Sequence, residues 1–366
     1  PASTMLPLIC EEFGLRSASI EAVLKCEHKY WSRLLQREAV PEMTPEFCAI
    51  DPRAENPLEQ VTINYPFWIK PAKAFSSYLG YHIDNPGDLE KVIPTIRKHI
   101  PRIGDPFNVA ISHADLPPEI EKVDGNWCIA EEILGGKQCG IEGYVLNGDF
   151  HVHGIFDGVK DQRNWSFTRW EYPSVWPEHV QERMKEASQR LMEYIGFDNS
   201  PFGIEFFWDE ESDELGILEI NTRISQSHSK QFILVEGVSN HEVAVDVALN
   251  REPKIFLHDG PFERSAKFML NKYQDAVVER IPTQAEIAEV EASIPNSKVA
   301  ITIKEGELLS ELRDQDSYSY EIANLWLGAD TQQEMLEKYR CMADRLHFEF
   351  SDGTAPERFQ FEQALY

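Results

Sequence analysis

The apolar positions change period several times along the chain, and each change marks an element. Near the start, Leu24, His28, Trp31 and Leu35 recur at close to helical spacing. Pro41, Pro45, Pro52 and Pro57 then punctuate a linker-like stretch, because proline lacks the N–H that a continuous helix requires. Residues 65 to 71 predict a short strand that runs into a Ser/Gly loop ending at Gly80. A helix is expected from Asp88 to His99, with Asp88 as its cap.

Residues 141 to 156 read as two strands joined at Asn147-Gly148, a dipeptide suited to the positive φ angles of a tight hairpin turn. Past Pro177, Val180, Met184, Ala187, Leu191 and Ile195 form one stripe of a long amphipathic helix. Two strands follow, Gly203 to Trp208 and Leu215 to Ile220, around the acidic turn Asp209 to Glu214. After Pro253 a further unit is expected, with strands near 265–270, 298–303 and 319–327 and a last helix over 331–346. No internal repeat or low-complexity tract is visible.

Composition narrows the functional classes. The 366 residues, at about 100 to 200 per domain, suggest two or three units, and 42% apolar residues suffice for ordinary cores. With 62 acidic against 35 basic side chains the formal net charge is −27, which disfavours nucleic acid as a partner because phosphate neutralisation draws on Lys and Arg. Six cysteines without a Cys-x-x-Cys pair read as reduced thiols of a cytoplasmic protein. No run approaches the roughly 20 apolar residues of a membrane span, and the first ten residues lack the basic lead of a signal peptide.

Three segments carry candidate chemistry. In Glu219-Ile220-Asn221-Thr222-Arg223, strand alternation projects Glu219, Asn221 and Arg223 on one side and Leu218 and Ile220 on the other. Counting back from the turn puts Glu205 about opposite this group. Two carboxylates and an amide oxygen are hard ligands suited to Mg²⁺; the competing reading is an exposed polar strand face. Lys70 ends an apolar strand before a loop with Lys73, Ser76, Ser77 and Gly80, which can present N–H groups and hydroxyls to phosphate. Alone, such a lysine is more commonly a solvated strand end, and neither a Walker A loop nor Gly-x-Gly-x-x-Gly is present. The third segment, Ile129 to Gln138, is an apolar strand giving way to Glu131, Glu132 and the turn Gly135-Gly136.

Taken in order, Lys29, Lys70, Glu131 to Gln138, Glu205 and Glu219-Ile220-Asn221-Thr222-Arg223 resemble the ATP-grasp superfamily, and within it the carboxylate-amine ligases. The resemblance covers about residues 5 to 250. It implies an α/β (α+β) fold in which two α/β subdomains clasp ATP, followed by a C-terminal α+β subdomain. The expected partition is 1–57 as remnant of a pre-grasp domain and linker, 58–130 as small subdomain, 131–252 as large subdomain and 253–366 as C-terminal subdomain.

Position by position, the resemblance implies Lys29 and Lys70 on phosphates, with Ser76 and Ser77 in a phosphate-covering loop. Glu131 is expected at the adenine amino group, beside Glu132, with backbone of Ile133 or Leu134 at the purine edge. Gln138 stands where many members have a ribose-binding glutamate. Glu205, Glu219 and Asn221 are implied ligands of Mg²⁺ (or Mn²⁺), and Arg223 and Lys70 the catalytic cations. The implied activity joins small-molecule carboxylate and amine substrates through an acyl-phosphate, releasing ADP and phosphate. Alternatives are another ATP-grasp activity, carboxylase-like or acid-phosphorylating, and a non-catalytic nucleotide-binding module. No nucleic acid or membrane is expected as a partner, and a homodimer is among the expected assemblies.

Other signals are weaker. Biotin carboxylases follow a similar Glu-x-Asn-x-Arg run with a Glu-His pair, whereas Ser227 precedes His228 here, which disfavours biotin carboxylation. His228 reads either as a substrate-orienting group or as a locally satisfied histidine. His151 and His153 share a strand face, but no further zinc ligand is evident and an exposed hairpin strand is the better reading. Val245 breaks the His-Glu-x-x-His pattern that His241-Glu242 begins. The stretch Trp165 to Trp176 reads either as a pocket wall or as a packed surface loop.

Overall fold

The computed structural model describes residues 2–75, 78–161, 166–255, 258–312, 315 and 318–356. The chain opens with helices α1 (Ala2–Phe13), α2 (Ile20–Glu27) and α3 (Lys29–Ala39). Strands β1 (Phe47–Ile50), β2 (Phe67–Pro71) and β3 (Tyr81–Ile83) precede α4 (Pro86–His99) and α5 (Pro101–Ile111). There follow β4 (Cys128–Glu132), β5 (Lys137–Leu146), β6 (Asp149–Lys160), β7 (Phe167–Tyr172), α6 (Glu178–Ile195), β8 (Ser200–Asp209) and β9 (Glu214–Asn221). Next come α7 (Ser229–Glu236), α8 (Asn240–Ala248), β10 (Arg264–Lys272), β11 (Val278–Arg280), α9 (Gln284–Ser293) and β12 (Lys298–Ile301). The last are β13 (Tyr320–Ala329), α10 (Gln332–Arg345) and β14 (Glu349–Phe350).

Two compact units result. One comprises residues 1–155, 176–224 and 243–253; the other comprises 156–175, 225–242 and 254–366. In the first, β1, β4, β2 and β3 form an antiparallel sheet in that order. Its core sets Ile50, Phe67, Ile69 and Ile83 against Leu89, Ile93 and Ile96 of α4. Strand β1 lies in the stretch read from its prolines as linker: four residues between Pro45 and Pro52 suffice for an edge strand. Helix α4 is capped by Asn85, whose side chain accepts from Asp88 N at 3.2 Å, not by Asp88 itself. Pro86 explains the shift, since its fixed φ and missing N–H suit the first helical position.

The same unit holds β5, β8 and β9, paired antiparallel in that order. Asn147 and Gly148 take φ of 55° and 87° in the turn between β5 and β6, as the hairpin pattern requires. Along β8, Phe202, Ile204, Phe206 and Trp208 are buried while the intervening residues are half-buried. These four pack with Ile141, Ile217, Ile220 and the stripe Val180, Met184, Ala187, Leu191 and Ile195 of α6. Each fully buried aliphatic side chain there contributes about 1.5–3 kcal/mol.

In the second unit β12, β13, β10 and β7 pair antiparallel, and β7 also pairs with residues 157–160 of β6. The core residues Ala266, Phe268, Leu270, Leu325 and Leu327 pack with Ile287 and Val290 of α9 and Met335 and Tyr339 of α10. Among the described residues no helix is long and apolar enough to cross a membrane. All six cysteines are free thiols.

Candidate active site

The chemistry-bearing residues collect in the first unit, and the β8–β9 hairpin organises them. From the turn inward Asp209 pairs with Glu214 and Phe206 with Ile217, a register that would set Glu205 opposite Leu218. A β-bulge intervenes, and Glu205 instead stands opposite Glu219, with Gly203 opposite Asn221. The extra residue reverses the phase of β9. Leu215 and Ile217 face the core, then Ile220 does so again, which frees Glu219 and Asn221 for the other face. Leu218, expected beside Ile220 in the core, is only half-buried and lines the cleft with Glu219 and Asn221.

Like charges directly opposite on neighbouring strands repel, so the Glu205–Glu219 pair calls for cations. Lys29 supplies one, with Nζ 3.2 Å from Glu219 Oε2. Asn221 Nδ2 lies 3.4 Å from Glu205 Oε1 and 3.5 Å from Glu219 Oε1, and Gln138 Nε2 donates to Glu205 Oε2 at 2.6 Å. Burial pushes the Glu219 carboxyl up, but Lys29, then Lys70 and Lys73, hold it down at about 2. Arg223 is exposed and donates to Asn221 Oδ1 at 3.3 Å. Two facing carboxylates supply oxygen donors of the kind a small divalent cation takes, so Glu205 and Glu219 fit Mg²⁺, and Asn221 would add its Oδ1, which here accepts from Arg223, on turning its amide over. Among the described residues no cluster of three or more His, Cys, Asp and Glu offers an alternative metal site.

Lys29 reaches this cleft because His28 ends α2 and starts α3. The imidazole Nδ1 accepts from Trp31 N at 3.3 Å, while Nε2 donates to the Val123 carbonyl at 2.7 Å. That division fixes a neutral tautomer, and burial pushes the His28 pKa down in agreement. Lys29 N donates to Ala72 O and its Nζ to Ala74 O, so the start of α3 is tied to the segment after β2.

Lys70, on β2, is not a solvated strand end. It is buried, with Nζ 2.6 Å from Glu131 Oε2. The other Glu131 oxygen accepts from Arg33 Nε at 2.6 Å. Burial pushes Lys70 down, while Arg33 and Lys70 keep the Glu131 carboxyl below the usual carboxylate range against its own burial. Arg33 is 2% exposed and also donates to Gln36 and to the carbonyls of Ile217 and Leu218 at 2.7 and 2.8 Å. It therefore joins α3, β4 and the bulge. Ser32 and Gln36 are buried beside it and Lys29 and Arg37 flank it at helical spacing, so the period of α3 gives no signal for its burial.

Downstream of Glu131, Glu132 is exposed and Ile133 and Leu134 are half-buried. Leu134 packs over Gly216 of β9, where a Cβ would stand 2.4 Å from Leu134 Cδ2. Gly136 has φ of 89°, and a Cβ there would meet the Trp208 carbonyl at 2.0 Å, so glycine is required. Ser76 and Ser77 lie outside the described residues.

Sequence reasoning missed Glu27, Thr222 and Leu218. Lys73, noted in the loop, is buried against Glu27. The available signal for Glu27 was an acid on the α2 face that otherwise buries Ala22, Val23 and Cys26. His153 is fully buried and stacked with Tyr144, 3.9 Å from Glu142, so its strand is not an exposed hairpin. In the second unit His228 stacks on Phe156 at 3.9 Å. Trp176 is a core residue against Trp208, whereas Trp165 is outside the described residues.

Residues 63–231 match the family model of the ATP-grasp domain. This segment is an ATP-grasp domain. Such domains are the nucleotide-binding fold of ATP-dependent ligases, and the α/β architecture agrees with solved structures. An L-amino acid ligase from Bacillus licheniformis superposes with a TM-score of 0.71 at 15% identity, over 94% of this chain and 78% of that one. A carboxyaminoimidazole ribonucleotide synthase from Aspergillus clavatus, complexed with ATP, gives 0.66 at 15% identity over 93% and 78%. A biotin carboxylase from Campylobacter jejuni gives 0.62 at 16% over 95% and 73%. At these identities the similarity establishes the ATP-grasp fold. A search of curated protein sequences found no match.

Proposed function

We propose that this chain is an ATP-dependent carboxylate-amine ligase, forming an amide or peptide bond through an acyl-phosphate with release of ADP and phosphate. The observation that carries the reading is the convergence of Glu205, Glu219, Asn221 and Arg223 with Lys29 and Lys70 in one cleft of an ATP-grasp domain. A module that had lost turnover would have no need to keep two opposed carboxylates, whose mutual repulsion has to be offset by Lys29, Lys70 and Lys73.

Glu205, Glu219 and Asn221 would hold Mg²⁺, which when bound neutralises phosphate charge and orients the γ-phosphoryl group. Lys29 and Lys70 bind the phosphates. Glu131, expected at the adenine amino group, instead is buried with its two carboxylate oxygens on Arg33 and Lys70, and orients the Lys70 ammonium. Backbone of Ile133 or Leu134 meets the purine edge. A substrate carboxylate oxygen attacks the γ-phosphorus and ADP leaves; an amine nitrogen then attacks the acyl carbon, loses a proton, and phosphate leaves. Arg223 faces the negative charge gathered in both steps.

A phosphate-release assay with ATP and a panel of amino acids and small acids tests the reading. Release that depends on a carboxylate and an amine supports it; ATP binding with no substrate-dependent release would favour the nucleotide-binding module. Lys70→Ala should raise the Kd for ATP at least about tenfold, since a charge-assisted phosphate contact is worth roughly 1.5–3 kcal/mol. Arg33 continues to satisfy Glu131 in that variant. An unchanged affinity by calorimetry removes Lys70 from the phosphate site.

A further inference from the structure

Glu27 is the last residue of α2 and its carboxylate is buried. Two costs attach to that position. A helix C-terminus carries partial negative charge and disfavours an anion, and burial removes the carboxylate from water. Both are offset by partners from distant parts of the chain. Glu27 Oε1 accepts from Thr222 Oγ1 at 2.7 Å and from Thr222 N at 3.2 Å, and Glu27 Oε2 meets Lys73 Nζ. Three segments, around residues 27, 73 and 222, therefore converge on one carboxylate.

The position of Thr222 gives this clasp its meaning. It lies between Asn221 and Arg223, so holding both its amide and its hydroxyl fixes the backbone from which those two side chains project. Glu27 also precedes His28 and Lys29, which deliver the first lysine to Glu219. Buried ion pairs commonly add little net stability compared with well-packed apolar residues. An acid here is thus poorly explained by stability and well explained by placement.

We infer that Glu27 is a positioning residue, which sets Lys73 as a third triphosphate cation and holds the Asn221–Arg223 strand end in register with it. The inference rests on the nucleotide site proposed above. Lys73 faces Glu27 from α2, Glu219 from β9 and Arg223 beyond it; burial pushes its ammonium down to about 8, with Glu219 pulling up and Arg223 down. The opposing charge of Glu27 lies in contact with that ammonium.

The test compares wild type, Glu27→Gln and Thr222→Val in the full chain. Readouts are MgATP binding by calorimetry, kcat and KM across pH, and thermal unfolding. Glu27→Gln should weaken MgATP about tenfold and move the alkaline limb of binding to lower pH, because Lys73 loses its counter-charge. Thr222→Val keeps the Lys73 pair and is nearly isosteric, so it should fold; it should lower kcat about tenfold with the alkaline limb in place. Variants that lose only thermal stability, with binding, kcat and pH profile as in wild type, would overturn the positioning role. If Glu27→Gln does not fold, an unchanged kcat in Thr222→Val overturns it equally. A wild-type protein that fails to bind MgATP overturns the nucleotide site itself, a result distinct from either.

Discussion

Glu219→Ala is expected to lower kcat by at least about a hundredfold, the scale on which loss of one group that stabilises transition-state charge is felt. Glu219 faces Glu205 across the hairpin and meets Lys29, so its removal takes away half of the carboxylate pair and the anchor of the first lysine. Mn²⁺ binding, followed by electron paramagnetic resonance in the presence of ATP, should weaken in parallel. Retained turnover with unchanged Mn²⁺ affinity would exclude Glu219 from the metal set.

The stability effect of the same variant depends on pH with a definite sign. The folded carboxyl sits at about 2, below its ordinary value near 4.5, so the ionised form favours the folded state. That contribution is fully present above the unfolded pKa and is lost as pH falls through the folded one. The wild type should therefore unfold at higher urea than Glu219→Ala at neutral pH, and the gap should close between about pH 4.5 and 2. A gap of constant size would assign the loss to packing.

Arg33→Ala should produce the largest change in stability, a loss of about 3–5 kcal/mol, as expected when one partner of a buried ion pair is removed. Its guanidinium serves Glu131, Gln36 and two carbonyls of the bulged strand, and no solvent reaches the site to replace it. Equilibrium urea unfolding measures the loss; a shift under 1 kcal/mol would show that Lys70 alone satisfies Glu131. Arg33→Lys should recover only part of it, since an ammonium cannot reproduce the fork that spans carboxylate and carbonyls.

Much of the architecture was legible because it is local. The stripe of α6, the Asn147-Gly148 turn and the alternation of β8 each follow from a period or a turn preference spanning a few residues. The same holds for much of the candidate site. Strand alternation around Glu219-Ile220-Asn221 and the hairpin count from Asp209 to Glu214 brought Glu205 near Glu219. Period alone could not show that a one-residue bulge makes the facing exact, or that Leu218 leaves the core face. Strand β1 was hidden by its flanking prolines, and the α4 cap was misplaced by three residues because Pro86 outranks Asp88 as a start signal.

The sequence by itself determined the elements with a strong local period or turn, such as α6, the Asn147-Gly148 hairpin and the β8–β9 pair, together with the candidate site segments and the family they resemble. Only the tertiary structure decided that Lys70 is buried on Glu131, that Arg33 spans α3, β4 and β9, and that Glu27 gathers Lys73 and Thr222. The reason is separation along the chain. Propensity and period act over a turn or a strand, whereas a buried charge is compensated by whichever opposite charge or hydrogen-bonding group the fold brings within reach. Glu27 and Thr222 are 195 residues apart, and nothing local to either names the other.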